Sequence, residues 1–309
     1  MLSRIAESLF WIGRYTERAD GTARIVDVLR LQLLEDPGAD EVLASNTVLS
    51  VIMGMPWDGE ATFGDVSSAL VFDRSNASSI TGAWFAAREN ARRARETLST
   101  ELWEAINTTW HRWNGFGRTV ATERHLSWAR ERAALVSGIA DSTMSHDEAW
   151  DFLVLGRSLE RADMTARLVA TGAMPRGGAP WSVVLSSCGA QQAFMRSQRG
   201  LLSDDAAAAF LVLDREFPRS VFFALSEAER RLAALSPPQA ERIGVSDEAR
   251  RQLGRIRTSL EFRATSDVIA DLPAQMLRVQ GAVMAGSHAI AGRYFQSGPL
   301  TTWTKDGVF

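Results

Sequence analysis

Cysteine, lysine and long apolar runs are nearly missing from this chain. Cys188 is the one cysteine among 309 residues, so no internal disulfide can form and a reducing compartment is expected. Lys305 is the one lysine among 34 basic residues. A GC-rich genome, which favours arginine codons, is the expected reason, and the chemical consequence is a set of planar groups able to grip carboxylates bidentately. The four histidines, His111, His125, His146 and His288, make no HExxH or other metal-ligand spacing, and no metal site is expected. GxxxxGK[ST], GxGxxG and GxSxG are all absent, which excludes the phosphate-binding loops and the nucleophile elbow those patterns mark. The longest apolar run, Ala206 to Leu213, is eight residues, against the roughly 20 that a membrane span needs. Glu7 stands where a signal peptide would be apolar. The expectation is a cytoplasmic protein without membrane contact.

What is present is globular. Hydrophobic residues make up 46% of the chain and charged residues 23%, enough for a large core without disulfide staples. A net charge of −3 argues against a general nucleic-acid binder.

The chain repeats itself. Residues 13–26, GRYTERADGTARIV, and 156–169, GRSLERADMTARLV, are identical at ten of fourteen positions. Weaker echoes follow: Val42-Leu43-Ala44-Ser45 with Val184-Leu185-Ser186-Ser187, and Leu70 to Arg74 with Leu211 to Arg215. Ser79 then faces Ser220, and Ala83 faces Ala224. An internal repeat at this spacing implies duplication. The reading is two homologous halves, 1–143 and 144–309, packed as one unit about a pseudo-twofold axis.

Apolar residues recur at helical spacing throughout, so the fold class is all-α, a helical bundle. Helices are expected over 3–35, 41–54, 61–73, 77–96, 99–113 and 119–140. The second half should form them over 146–171, 180–197, 203–215, 218–235, 246–271 and 274–295. Breaks are expected at Pro56, at Asn114-Gly115, from Pro175 to Pro180 and at Ser236-Pro237-Pro238, with an extended tail from Gly298.

Three features could carry function. In the repeated motif, Arg14, Glu17 and Arg18 share a helix face with Phe10, Gly21, Ile25 and Val28, while Asp20 and Arg24 sit beside Glu17. Glu17 stands three residues from Arg14 and Asp20 four from Arg24, spacings at which side chains meet. Arg157, Glu160, Arg161, Asp163 and Arg167 repeat the pattern. These charges form either a buried ion-pair lattice that fixes register or a polar cavity for a peptide, carboxylate or phosphate. A di-iron site needs Glu-x-x-His, which no motif carboxylate provides. The second feature pairs Asp73-Arg74 and Ser79 with Asp214-Arg215 and Ser220. Capping by Ser75 or Asn76, with Pro218 in a first helical turn, competes there with anion binding at a helix N-terminus. The third occurs once: Arg88, Glu89, Asn90, Arg92 and Arg95, leading to Trp103. It reads as a solvated face or as a docking surface for an acidic partner.

Leu9-Phe10-Trp11-Ile12-Gly13-Arg14-Tyr15-Thr16-Glu17-Arg18-Ala19-Asp20, followed by Thr22-Ala23-Arg24, resembles the bacterial alpha-E family, an all-helical domain with a Glu-Arg motif. Arg88 to Arg92 and Pro218-Arg219-Ser220 also resemble that family's recurring segments. The resemblance implies a gene neighbourhood with a circularly permuted ATP-grasp protein and a transglutaminase-like cysteine peptidase, hence a system that makes and processes an amide bond. This chain, with neither segment, would be a stand-alone version. The leading expectation is a non-catalytic accessory or acceptor-peptide-binding protein of that system, with no cofactor. The alternatives are an enzyme with Glu17 or Glu160 as general base, and a helical oligomerisation module, since homo-oligomers stay open. Exposed Glu-Arg pairs favour the enzyme; buried and bonded pairs favour the other two.

Overall fold

A computed structural model describes residues 1–117, 120–174, 178–197, 202–236 and 244–295. Among these there are fourteen α-helices and no strand. The expected breaks at Pro175 and at Pro237-Pro238, and the tail from Gly298, lie outside the described residues.

The two longest helices carry the repeated motif. α1 (Ser3–Glu35) and α7 (Glu148–Gly172) pack directly on each other. Both are apolar nearly all round, which makes them central: Leu9, Phe10, Ile12, Ala19 and Val26 are buried in α1, and Leu155, Leu159, Ala162 and Val169 in α7. α4 (Ile80–Arg93) and α6 (Glu123–Thr143) flank α1, with α5 (Thr100–Trp113) packed against both flanking helices. α11 (Val221–Leu235) and α14 (Leu272–Ile290) flank α7, with α12 (Glu248–Phe262) packed against both of those. α2 (Glu41–Met53), α3 (Phe63–Val66), α8 (Trp181–Ser187), α9 (Gln191–Ser197), α10 (Asp204–Leu213) and α13 (Thr265–Ala270) complete the set.

The α1–α7 crossing is close because both helices present glycine there. A Cβ on Gly13 would lie 2.0 Å from the Leu153 carbonyl oxygen, and one on Gly156 would lie 2.0 Å from that of Phe10. Several expected helices come out differently. The segment 180–197 is two helices, α8 and α9, because Gly189 between them has φ +61, a conformation that side chains with a Cβ disfavour. The segment 246–271 breaks at Arg263 and Ala264, both extended, which returns Val268 to the core. The segment 61–73 is the short α3 continued by a π-helical turn, Ser67–Phe72. Among the described residues no helix is long and apolar enough to cross a membrane.

Candidate functional site

The motif charges meet between α1 and α7. Glu17 is 5% exposed and Glu160 is 3% exposed. They are bonded in a crossed arrangement. Arg18 Nε donates to Glu160 Oε1 at 2.5 Å and its second amino group donates to Oε2 at 2.9 Å. Reciprocally, Arg161 Nε lies 2.9 Å from Glu17 Oε2. The arginine of each dipeptide therefore seats the glutamate of the other. Arg24 closes on Asp20 at 2.9 Å and Arg167 on Asp163 at 2.8 Å, both within one helix.

A further arginine joins each cluster, from different places. Arg14 Nε donates to Glu160 Oε2 at 2.7 Å, and its terminal amino group donates to Ser287 Oγ on α14 at 3.1 Å. Its sequence counterpart Arg157 points away and binds Asp141 of α6 at 3.2 Å. Glu17 instead receives Arg219, from the turn before α11, at 2.5 Å, and Arg219 also bonds Asp20. The expected contact between Arg14 and Glu17 within α1 is thus replaced by one across the helix pair. Helical spacing permits a contact, but Glu17 is taken by Arg161 and Arg219, and Arg14 reaches Glu160 on the facing helix. Arg219 belongs to a segment that the sequence offers for capping or for anion binding at a helix N-terminus, not for a contact with the motif carboxylates. The signal was there: Arg219 stands where the first motif's surroundings have Ser78.

Burial would raise both glutamates, but it is outweighed by Arg161 and Arg219 at Glu17 and by Arg18 and Arg14 at Glu160, which hold both carboxyls at about 2. Burial likewise acts to lower Arg18 and Arg219, and the facing carboxylates overcome it and raise them. The pairs are fixed charges around neutrality. A general base should titrate near the working pH, and these carboxylates do not. The Cys188 thiol is pushed by burial up to about 12, so it is held protonated. Asp163 differs: burial, supported by Glu160, raises its carboxyl against the pull of Arg167. It lines a groove of about 600 Å³ between α1, α7 and α14.

The second feature is capping. Ser79 accepts from the Gly82 amide at 2.8 Å and heads α4; Ser220 accepts from the Phe223 amide at 3.0 Å and heads α11. Each serine hydroxyl also donates to a carbonyl, of Asp73 and Asp214 respectively. The caps are these serines rather than Ser75 or Asn76, and Pro218 precedes its helix instead of opening it. Asp73 accepts from the Ser75 amide at 2.8 Å, and Asp214 from the Glu216 amide at 2.9 Å, so both carboxylates tie the preceding turns. Arg74 stacks 3.9 Å over Phe85, whereas Arg215 pairs with Glu261 at 3.0 Å.

The third feature divides. Arg88 and Arg92 both close on Glu89, at 2.6 and 3.2 Å, and Arg88 reaches Asn107 Oδ1 at 3.1 Å. Asn90 donates to the Ala86 carbonyl at 2.8 Å. Arg95 has no carboxylate partner among the described residues and lies 5.6 Å over the Trp103 ring.

The buried Glu-Arg clasp agrees with the comparison. A family model described as a predicted alpha-helical domain with a conserved ER motif matches residues 1–295. The chain belongs to the Alpha-E family. Curated relatives are the uncharacterized proteins Mb2597 of Mycobacterium bovis and MT2643 and Rv2567 of Mycobacterium tuberculosis, each 23% identical over 93% of this chain. The Alpha-E chain spans only 35% of the length of each. No solved structure matches it.

Proposed function

We propose that this Alpha-E chain is a non-catalytic helical accessory protein of an ATP-grasp amide ligase system, scaffolding the ligase or presenting its acceptor peptide. The observation that carries the non-catalytic part is the closure of both Glu-Arg pairs: Glu17 and Glu160 are buried, bonded to two arginines each, and ionised far below neutral pH. A clasp of this kind fixes the register of two helices; it does not accept protons around pH 7. The ligase association rests on the family resemblance. A transglutaminase-like peptidase is the second expected partner, and the cytoplasm the expected place.

The reading includes two halves, 1–143 and 144–309, joined about a pseudo-twofold axis into one unit. Its support is reciprocity. Thr22 Oγ1 donates to the Ser78 carbonyl at 3.1 Å and Thr165 Oγ1 to the Arg219 carbonyl at 2.8 Å. Gly13 meets Leu153 as Gly156 meets Phe10. The docking surface is sought in the first half, where Arg95 over Trp103, Arg124 over Phe116 and Arg132 over Trp128 lack carboxylate partners among the described residues. Interfaces favour such arginine and aromatic anchors.

The test is co-purification with a neighbouring ATP-grasp protein, followed by ATP turnover with candidate amino acids, with and without this chain. Stable association lost on Arg95→Glu with Arg124→Glu, both exposed, is expected. No association, and turnover indifferent to the chain, would overturn the reading.

A further inference from the structure

The groove between α1, α7 and α14 is lined by Glu7, Trp11, Arg14, Asp163, Arg167 and His288, among others. Its guanidinium groups are already engaged. Arg14 is held by Glu160 and Ser287, and Arg167 by Asp163 and the Val51 carbonyl at 3.3 Å. Its carboxylates are less well supplied. Glu7 has no ion-pair partner among the described residues, and Asp163 is paired with Arg167 alone.

The first motif shows what Asp163 lacks. Asp20, its sequence counterpart, takes the arginine four residues on, as Asp163 does, and then receives the guanidinium of Arg219 as well. Arg219 reaches Asp20 from a turn tied to Thr165. The turn tied to Thr22 carries Ser78, which has no cation to send toward Asp163. Access differs in the matching sense. The Asp20 side chain is 5% exposed beneath Arg219, while that of Asp163 is 16% exposed and faces the groove.

We infer that this groove binds an organic cation bearing N–H donors, a guanidinium or a primary ammonium group, with Asp163 as the carboxylate that receives it and Trp11 as an aromatic wall. Charge-assisted hydrogen bonds to a carboxylate are strong ones. In a partly buried groove they are screened less than on an open surface. Arg14 is offset by Glu160, which it shares with Arg18, and Arg167 by Asp163 itself, so the ligand would share Asp163 with Arg167 as Arg219 shares Asp20 with Arg24. Burial, with Glu160 nearby, raises the Asp163 carboxyl against the pull of Arg167. This site goes beyond the ligase reading and does not depend on it.

The experiment titrates the full chain with ethylguanidinium and with butylammonium, followed by NMR at the Trp11 indole, with tetramethylammonium as the control that has charge but no N–H donor. Both donors should shift the Trp11 signal saturably, and the control should bind at least about tenfold more weakly. Asp163→Asn should weaken binding roughly ten- to a hundredfold. Gly281→Trp should abolish it by filling the groove; a Cβ at Gly281 meets nothing within 4 Å, so this variant keeps its fold if Asp163→Asn does not. No saturable shift in the wild type, undiminished affinity in folded Asp163→Asn, or binding retained in Gly281→Trp would each overturn the inference. Failure of ligase co-purification would leave this site standing, and failure here would leave the ligase reading standing.

Discussion

Burial pushes the Glu17 and Glu160 carboxyls up, and two arginines at each outweigh it. Removing one member strands the others, and such losses run to about 3–5 kcal/mol. Glu17→Ala should therefore lower stability by about 3 kcal/mol, the low end because Arg161 and Arg219 keep some solvent contact; urea denaturation measures it. Arg219→Ser should cost a similar amount, since it serves Glu17 and Asp20 together. Arg215→Ser, at a pair whose arginine is 65% exposed, should change stability by less than about 1 kcal/mol. The pH dependence follows from the sign of the shift. Both glutamates are depressed from an ordinary 4.5 to about 2. Their stabilisation is thus complete above pH 4.5 and is lost as the pH falls toward 2. A melting temperature flat from neutral pH to about pH 5, then falling steeply, is expected, with a shallower fall in Glu17→Gln. Equal acid slopes in the two proteins would remove Glu17 from that role.

At the scale of elements, the long helices were legible because their apolar positions recur without interruption: 3–35 was expected and Ser3–Glu35 is found, 146–171 was expected and Glu148–Gly172 is found. The breaks at Gly189 and at Arg263-Ala264 were not legible, since one glycine and one extended pair interrupt patterns that remain helical on both sides. At the site, the residue types and the intrahelical pairs Asp20–Arg24 and Asp163–Arg167 follow from i, i+4 spacing. The crossed pairs, Arg219 and the turning away of Arg157 do not, because sequence periodicity places side chains on a face without saying what faces them. The α1–α7 crossing gives the sharpest check. Alanine in place of glycine gains about 1 kcal/mol of helix propensity, but overpacking costs about 1–3 kcal/mol or more, and here the added Cβ meets backbone at 2.0 Å. Gly13→Ala and Gly156→Ala should each destabilise the protein, read as a lower urea midpoint, whereas Gly138→Ala, with nothing within 4 Å, should stabilise it.

For the whole molecule, each long helix supplies the other's core and the other's counter-charges. A fragment of residues 1–143 would keep Arg14 and Arg18 without Glu160, and Glu17 without Arg161 and Arg219. Neither it nor residues 144–309 should show a cooperative melt alone by circular dichroism, while the two expressed together should recover one. A fragment that melts cooperatively by itself would show two separable domains.

The crossed Glu-Arg pairs have the form of an isologous contact, in which one residue meets another and that other meets the first's twin. A chain with a single copy of the motif could close them only against a second chain. Carrying both copies in one polypeptide makes the stoichiometry independent of concentration, and it releases the copies from having to be identical. The two copies are bonded differently: Asp20 also receives Arg219, while Asp163 pairs with Arg167 and lines the groove. A homodimer must change both sides at once; a chain that carries both copies need not.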